Sequence, residues 1–330
     1  MPTDQPRTRL SPKQRRQFVL LTLAALALFA IVRRLPTGTN LGHMDFRVAG
    51  GSGIEFCDPA NPQFLPVVAV PSPVTMMLSV GTAERDRLQA FVLRLRTVTG
   101  KPIGPADLAV AHTRKLHLLV VDPSLEDYQH LHPEPCDTPG EWRFALAPRR
   151  SGLYRVFADF VPLATGRGLY AVAELTVPGA PDGGAGFTPV SLADDRTAGV
   201  KPAPPRGDHP ERSDPPGVPA GYRVILSTSP SELRSRETID LTLAIERADG
   251  GPVPLGPVMG AFAHLVAFDA QRLGFAHLHP NETDLLRLPD AVHPRLTFKV
   301  MLPQAGRYVV WAQVNLDGKD AFAPFALQVR

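Results

Sequence analysis

Short runs of alternating apolar and polar residues, bounded by Gly, Pro and Asp, recur along most of the chain. VTMMLSV, FVLRLRTV, KLHLLVVD, WRFALAP, LYRVFADF and YAVAELTV lie in residues 67–178, and YRVILSTS, IDLTLAI, AHLVAFD, RLTFKVMLP, YVVWAQVNL and FALQV lie in 221–330. Strand-like runs of this length, spaced by about ten residues, predict antiparallel β-sandwiches. No amphipathic helical period of useful length interrupts them. The expected class is therefore all-β, in two successive modules.

The pattern breaks in two places. Phe18 to Val32 reads FVLLTLAALALFAIV, an uncharged apolar run with Arg15 and Arg16 before it and Arg33 and Arg34 after it. Such a run crosses a membrane or directs export. Fifteen helical residues rise only about 22 Å against a hydrocarbon core of about 30 Å, so flanking arginines would have to snorkel. The following RRLPTGTNLGHMDF offers no small-x-small cleavage site near the run, which favours an uncleaved anchor over the alternative of a signal peptide. Arg7, Arg9, Lys13, Arg15 and Arg16 outweigh the two arginines behind, so the N-terminus is expected inside and the body in the periplasm or outside the cell.

The second break is PGAPDGGAG followed by KPAPPRGDHPERSDPPG, rich in Pro, Gly and charge and poor in core residues. The resulting plan is a cytoplasmic basic segment (1–16), an inner-membrane anchor (17–34), an irregular linker (35–66), a first sandwich (67–178), a Pro/Gly-rich linker (179–220) and a second sandwich (221–330). Composition agrees: 44% hydrophobic and 20% charged residues suit two ordinary domains and not a multi-spanning protein. The net charge of +3 derives largely from the basic N-terminus, which leaves the body near neutral and argues against nucleic acid as a partner.

The two halves superpose as sequences. KLHLLVVDPSLEDYQHLHPE aligns without gaps on FAHLVAFDAQRLGFAHLHPN at an offset of 147, and SGLYRVFADF aligns on AGRYVVWAQV after seven extra residues in the second copy. This is an internal duplication. Each copy carries His, a second His thirteen residues on, then Leu-His-Pro: His117, His130 and His132, and again His264, His277 and His279. In a strand, His130 and His132 share a face, as do His277 and His279. A simple hairpin beginning at Asp122 or Asp269 pairs Val121 with Tyr128 and Phe268 with Phe275, which sets His117 opposite His132 and His264 opposite His279.

Three imidazoles on one face, about 5 to 8 Å apart at Cβ, are able to converge on one ion. A fourth donor lies five residues upstream, His112 in the first copy and Met259 in the second. Imidazole suits Cu(II) and Zn(II), whereas a thioether favours Cu(I), so the expected ion is copper, with zinc next. Two structural alternatives use the same residues: the rings hydrogen-bond loop carbonyls near Pro133, or the His faces form the contact between modules. Leu116, Leu118, Val120 and Leu131, with Leu265, Ala267 and Leu278, form the opposite, core face. Tyr154, Phe157, Tyr308 and Trp311 read as packing residues, one of Met76 and Met77 as inward-facing, and His43, His209 and His293 as solvated.

Cys57 and Cys136 are the only cysteines, and an exported pair most simply forms a disulfide, the alternative being a thiolate near the histidines. No G-x-S-x-G, nucleotide-binding glycine loop or Ser/His/Asp grouping occurs, so no enzyme is expected; three histidines with an open position would also describe a catalytic metal.

AHTRKLHLLVVDPSLEDYQHLHPE followed by LYRVFADFVP resembles the hairpin of YtkA-like proteins, bacterial secreted or membrane-anchored modules. That resemblance implies a small immunoglobulin-like fold and a link to heavy-metal, chiefly copper, handling. It implies His112, His117, His130 and His132 as one ligand set and His264, His277 and His279 as the other, with Met259 departing from the pattern. The expected function is a membrane-anchored envelope protein that buffers copper or passes it to a metal-acceptor partner. The alternative is a non-catalytic envelope scaffold that binds another protein.

Overall fold

The computed structural model describes residues 11–32, 41–46, 64–80, 82–179 and 217–330. Its two compact units are 1–40 and 41–330. In the first, a helix (α1, Pro12–Val32) starts from a reciprocal cap in which the Ser11 hydroxyl accepts from the Gln14 amide and the Gln14 side chain accepts from that of Ser11. The helix therefore starts six residues ahead of the apolar run. Its 21 residues rise about 31 Å, long enough to cross a membrane, with Lys13, Arg15 and Arg16 in its first turns.

In the second unit the first module contains β1 (Val74–Leu78), β2 (Gln89–Thr97), β3 (His117–Val121), β4 (Tyr128–Leu131), β5 (Glu134–Pro135), β6 (Glu141–Leu146), β7 (Gly152–Phe160) and β8 (Leu169–Val177). The other module contains β9 (Tyr222–Ser229), β10 (Thr238–Arg247), β11 (Leu255–Gly256), β12 (Ala263–Asp269), β13 (Phe275–Leu278), β14 (Arg295–Met301), β15 (Gly306–Leu316) and β16 (Lys319–Val329). All strand pairs in these ladders are antiparallel. The first module stacks β1-β2-β6-β5 on β4-β3-β7-β8, and the second stacks β9-β10-β14 on a sheet running β13-β12-β15-β16, which β11 extends at the end of β15. The chain is thus all-β beyond its helix, with two tandem immunoglobulin-like antiparallel sandwiches.

Alternation explains each core. Leu93, Leu95, Trp142 and Phe144 meet Leu118, Val120, Tyr154 and Val156 in the first, while Leu241, Leu243 and Phe298 meet Leu265, Ala267 and Val310 in the second. Met76 is buried and Met77 exposed. Both hairpins have the register expected: Val121 pairs with Tyr128 and Phe268 with Phe275. Each starts at an aspartate that caps its own loop. Asp122 accepts from the amides of Ser124, Glu126 and Asp127, and Asp269 from those of Gln271, Leu273 and Gly274.

The outer faces of β3 and β12 are not solvated. Leu119, Val121, Tyr128 and Phe157 pack against Val266, Phe268, Phe275, Val309 and Trp311 in a third apolar cluster between the modules. Every residue of both strands is buried, which is why HLLVV and AHLVAFD carry so little polar alternation. The described parts of 35–66 also join the body: Leu41 and Phe46 enter the first core, Phe64 the second, and Leu65 exchanges two backbone hydrogen bonds with Phe275. Gly274 permits that approach, since a Cβ there would collide with the Leu65 carbonyl. The linker at 180–216, the first ten residues, Cys57 and His209 lie outside the described residues. Among the described residues no disulfide occurs and Cys136 is free, so the expected bridge is not part of the structure described.

Candidate metal centre

The packing that buries Leu119 and Val266 also buries the histidines, because residues two apart in a strand share a face. His117 lies on the face of Leu119, and Asp159 pairs with it from β7; His264 lies on the face of Val266, and Gln313 pairs with it from β15. The seam between modules therefore has an apolar half and an imidazole half. His117, His130, His264, His277 and His279 are all buried there, and His112, His132 and Met259 form its half-buried rim. His43 and His293 stand exposed elsewhere.

The two upstream donors do not join the histidines of their own module. His112 groups with His264 and His279, its ring stacked on His279 at a centroid separation of 3.7 Å. Met259 Sδ lies 2.9 Å from His132 Nε2, beside the triad His117, His130 and His132. Within each triad one nitrogen from every ring falls within 4.8 Å of the others. His277 lies between the two groups, with ring centroids 5.4 Å from both His130 and His264. This regroups the ligand sets expected from the alignment: the thioether belongs with the first triad and the extra imidazole with the second.

Orienting bonds cross the seam in the same way. His130 Nδ1 lies 3.0 Å from Gln313 Oε1, and His277 Nδ1 lies 3.0 Å from Asp159 Oδ2. Gln313 and Asp159 occupy aligned positions in the two copies, and neither stood out in the sequence. A polar residue at matched positions of an otherwise apolar late strand was the available signal.

Burial holds these rings neutral. It lowers His117 and His132 to about 4, against the opposing pull of the Asp159 carboxylate on His117 and with help from the Arg114 charge at His132. It pushes His130, His264, His277 and His279 well below the usual imidazole range and His112 downward too. Asp159 is raised by the same burial, opposed by His117 and His112.

A neutral imidazole has one N–H and one lone pair. Asp320 accepts from the Gln313 amide nitrogen at 3.1 Å, which turns Gln313 Oε1 toward His130 and makes His130 Nδ1 the donor. His117 Nε2 faces the Ala111 carbonyl at 3.0 Å and must donate to it. The remaining nitrogens, His117 Nδ1 and His130 Nε2, face each other at 3.2 Å as two lone pairs with no proton between them. Two imidazole nitrogens on one tetrahedral ion, with bonds near 2.0 to 2.1 Å, stand about 3.3 Å apart. Among the described residues neither nitrogen of His264, in the second group, has a hydrogen-bond partner, nor do His279 Nε2 and the neighbouring His277 Nε2, although His264 is fully buried. Each unsatisfied buried group costs about 1–3 kcal/mol. A cation held by these nitrogens would satisfy both groups, and the Asp159 carboxylate bonded to His277 stands where metal-binding imidazoles commonly have an orienting partner.

No curated protein matches the chain. Among solved structures, the Escherichia coli adhesin FdeC is 17% identical over 78% of this chain and 63% of its own, with a TM-score of 0.23. Fibronectin(III)-like modules of Clostridium thermocellum CbhA are 9% identical over 77% of this chain and 92% of theirs, with a TM-score of 0.18. A Salmonella alpha-2-macroglobulin is 13% identical over 78% of this chain and 15% of its own, at 0.24. The chain thus spans less than two thirds of the adhesin and a small part of the macroglobulin. A family model matches twice, over residues 70–178 and 218–330, in agreement with the duplication; it is not a YtkA-like one. The chain belongs to the family described as "Domain of unknown function (DUF8832)".

Proposed function

We propose that the chain is a membrane-tethered envelope protein that holds copper, or in second place zinc, in the seam between its modules, as a store or for delivery to an acceptor protein. The observation that carries this is the pair of lone pairs on His117 and His130, 3.2 Å apart, each ring having its only proton committed elsewhere. The donors are nitrogen and thioether, the set that suits copper. The helix would tether the body outside the cytoplasm, its basic end inside.

A non-catalytic scaffold is the second reading. Immunoglobulin-like modules suit it, as do Leu286 and Leu288, 95% and 72% exposed on the loop after the second His-Leu-His-Pro. Titration separates the two. The full chain in detergent, challenged with Cu(I), Cu(II) and Zn(II) against chromophoric chelators, should bind stoichiometrically at micromolar metal. His130→Ala and His264→Ala should each weaken binding at least tenfold while circular dichroism stays that of the folded protein. A folded protein that binds none of the three ions sinks the metal reading and leaves the scaffold.

A further inference from the structure

The donors that cross the seam sit on strained turns. Ala111 and Arg114 exchange backbone hydrogen bonds around His112-Thr113, and Val258 and Ala261 do so around Met259-Gly260. All four central residues have positive φ: 49° and 68° in the first turn, 48° and 80° in the second. These are primed two-residue turns, for which Asn-Gly is the favoured sequence. His112 and Met259 are poor choices on backbone grounds, each costing about 1–2 kcal/mol in the left-handed region. What each adds is a donor atom, and strain kept at such a position points to a use for the side chain.

The turns also meet. A Cβ on Gly260 would lie 3.6 Å from Thr113 Cγ2, so the two tips touch where the modules cross. Each turn therefore reaches past its own triad to the other module's. His112 lies over His279 and near His264, and Met259 Sδ touches His132. The exchanged contacts His130 to Gln313 and His277 to Asp159 repeat the same crossing one layer deeper.

We infer that the modules trade ligands to make two unlike sites. Met259 completes His117, His130 and His132 as a three-nitrogen, one-sulfur site for Cu(I), and His112 completes His264 and His279 as an all-imidazole site for Cu(II) or Zn(II). Neither site exists within one module. A thioether donor selects Cu(I), and imidazoles alone suit the divalent ions. This rests on the metal-binding reading above and assigns which ion each site takes.

The test uses the full chain and a small set of single substitutions. Met259→Leu keeps volume and removes sulfur, and His112→Asn keeps a residue that tolerates positive φ. X-ray absorption of the Cu(I)-loaded protein should show a sulfur neighbour that disappears in Met259→Leu, with at least a tenfold loss of Cu(I) affinity. His112→Asn should keep the sulfur neighbour and lose at least tenfold in Cu(II) and Zn(II) affinity. His132→Ala decides the exchange: the sulfur neighbour should vanish with it, although Met259 is in the other module. Sulfur that survives His132→Ala but is lost in His279→Ala would show that each module keeps its own donors, and would overturn the exchange with the metal reading intact. The exchange is also overturned if the native protein binds copper but Met259→Leu and His112→Asn leave every affinity unchanged. A native protein that binds no metal overturns both.

Discussion

In β3 the even-numbered side chains Leu118 and Val120 enter the first sandwich core, and the odd-numbered His117, Leu119 and Val121 enter the seam. β12 repeats this with Leu265 and Ala267 on one side and His264, Val266 and Phe268 on the other. The cores and the seam are thus built from the same strands and are buried alike, but they are satisfied differently. A core needs only apolar contact, and its stability is indifferent to proton and metal. Half of the seam is made of desolvated rings that stay neutral at a cost, with several nitrogens unpartnered. The seam should therefore fail first, and conditions that act on imidazole should separate it from the cores.

Acid offers the largest separation. The folded His117 and His132 have pKa values near 4, below an unfolded value of about 6.5, and the other seam histidines are shifted the same way. Opening the seam then takes up protons, so this part of the stability is intact above about pH 6.5 and is lost as pH falls toward 4. Asp159 opposes, because its pKa is raised in the fold, but it is one group among many. For His117 alone the shift is worth about 3 kcal/mol, and the other seam rings act in the same direction. The two tryptophans report separately, Trp142 from the first core and Trp311 from the seam. In metal-free protein carrying Trp142→Phe, Trp311 emission should shift to the red between pH 6.5 and 4.5, while in Trp311→Phe the Trp142 emission stays constant. Simultaneous changes would erase the distinction between seam and core.

Trp311→Ala attacks the apolar half. The indole is nearly buried and donates to the Leu125 carbonyl across the seam at 3.2 Å, while its ring packs on Tyr128. Truncation at such a site costs about 3–5 kcal/mol. Because it falls on the seam, urea unfolding should split into two steps, with the first module's core retaining its midpoint. A single transition merely shifted to lower urea would mean that seam and cores unfold together.

How far these two regions were legible in the sequence follows from the same contrast. The cores were readable from period-two alternation, and the hairpin register from Asp122 and Asp269, which fix where each loop begins. The seam was not, because the alignment matches His112 to Met259 but carries nothing about how one copy faces the other. Leu119 and Val121 beside His117, and Val266 and Phe268 beside His264, were the signal available. An apolar residue on the face assigned to a ligand site means that this face is itself covered. The possibility that His faces form the contact between modules was legible; that they also exchange donors required the crossing of the two turns.

The finest contrast lies between the turns themselves. Thr113 and Gly260 are aligned, share a positive φ and meet at their tips, yet one is β-branched and the other has no side chain. A β-branched residue there is a genuine outlier, whereas glycine adopts the conformation freely. Thr113→Gly should therefore stabilise the metal-free protein by about 1 kcal/mol, less the entropy that a glycine adds to the unfolded chain. Gly260→Ala should destabilise it by a similar amount although there is space, the new Cβ meeting Thr113 Cγ2 at an ordinary 3.6 Å. Urea midpoints of the two variants should move in opposite directions. If Thr113→Gly instead lowers the midpoint, the methyl of Thr113 is a contact that holds the turns together, and the first turn's strain is offset by packing at the seam.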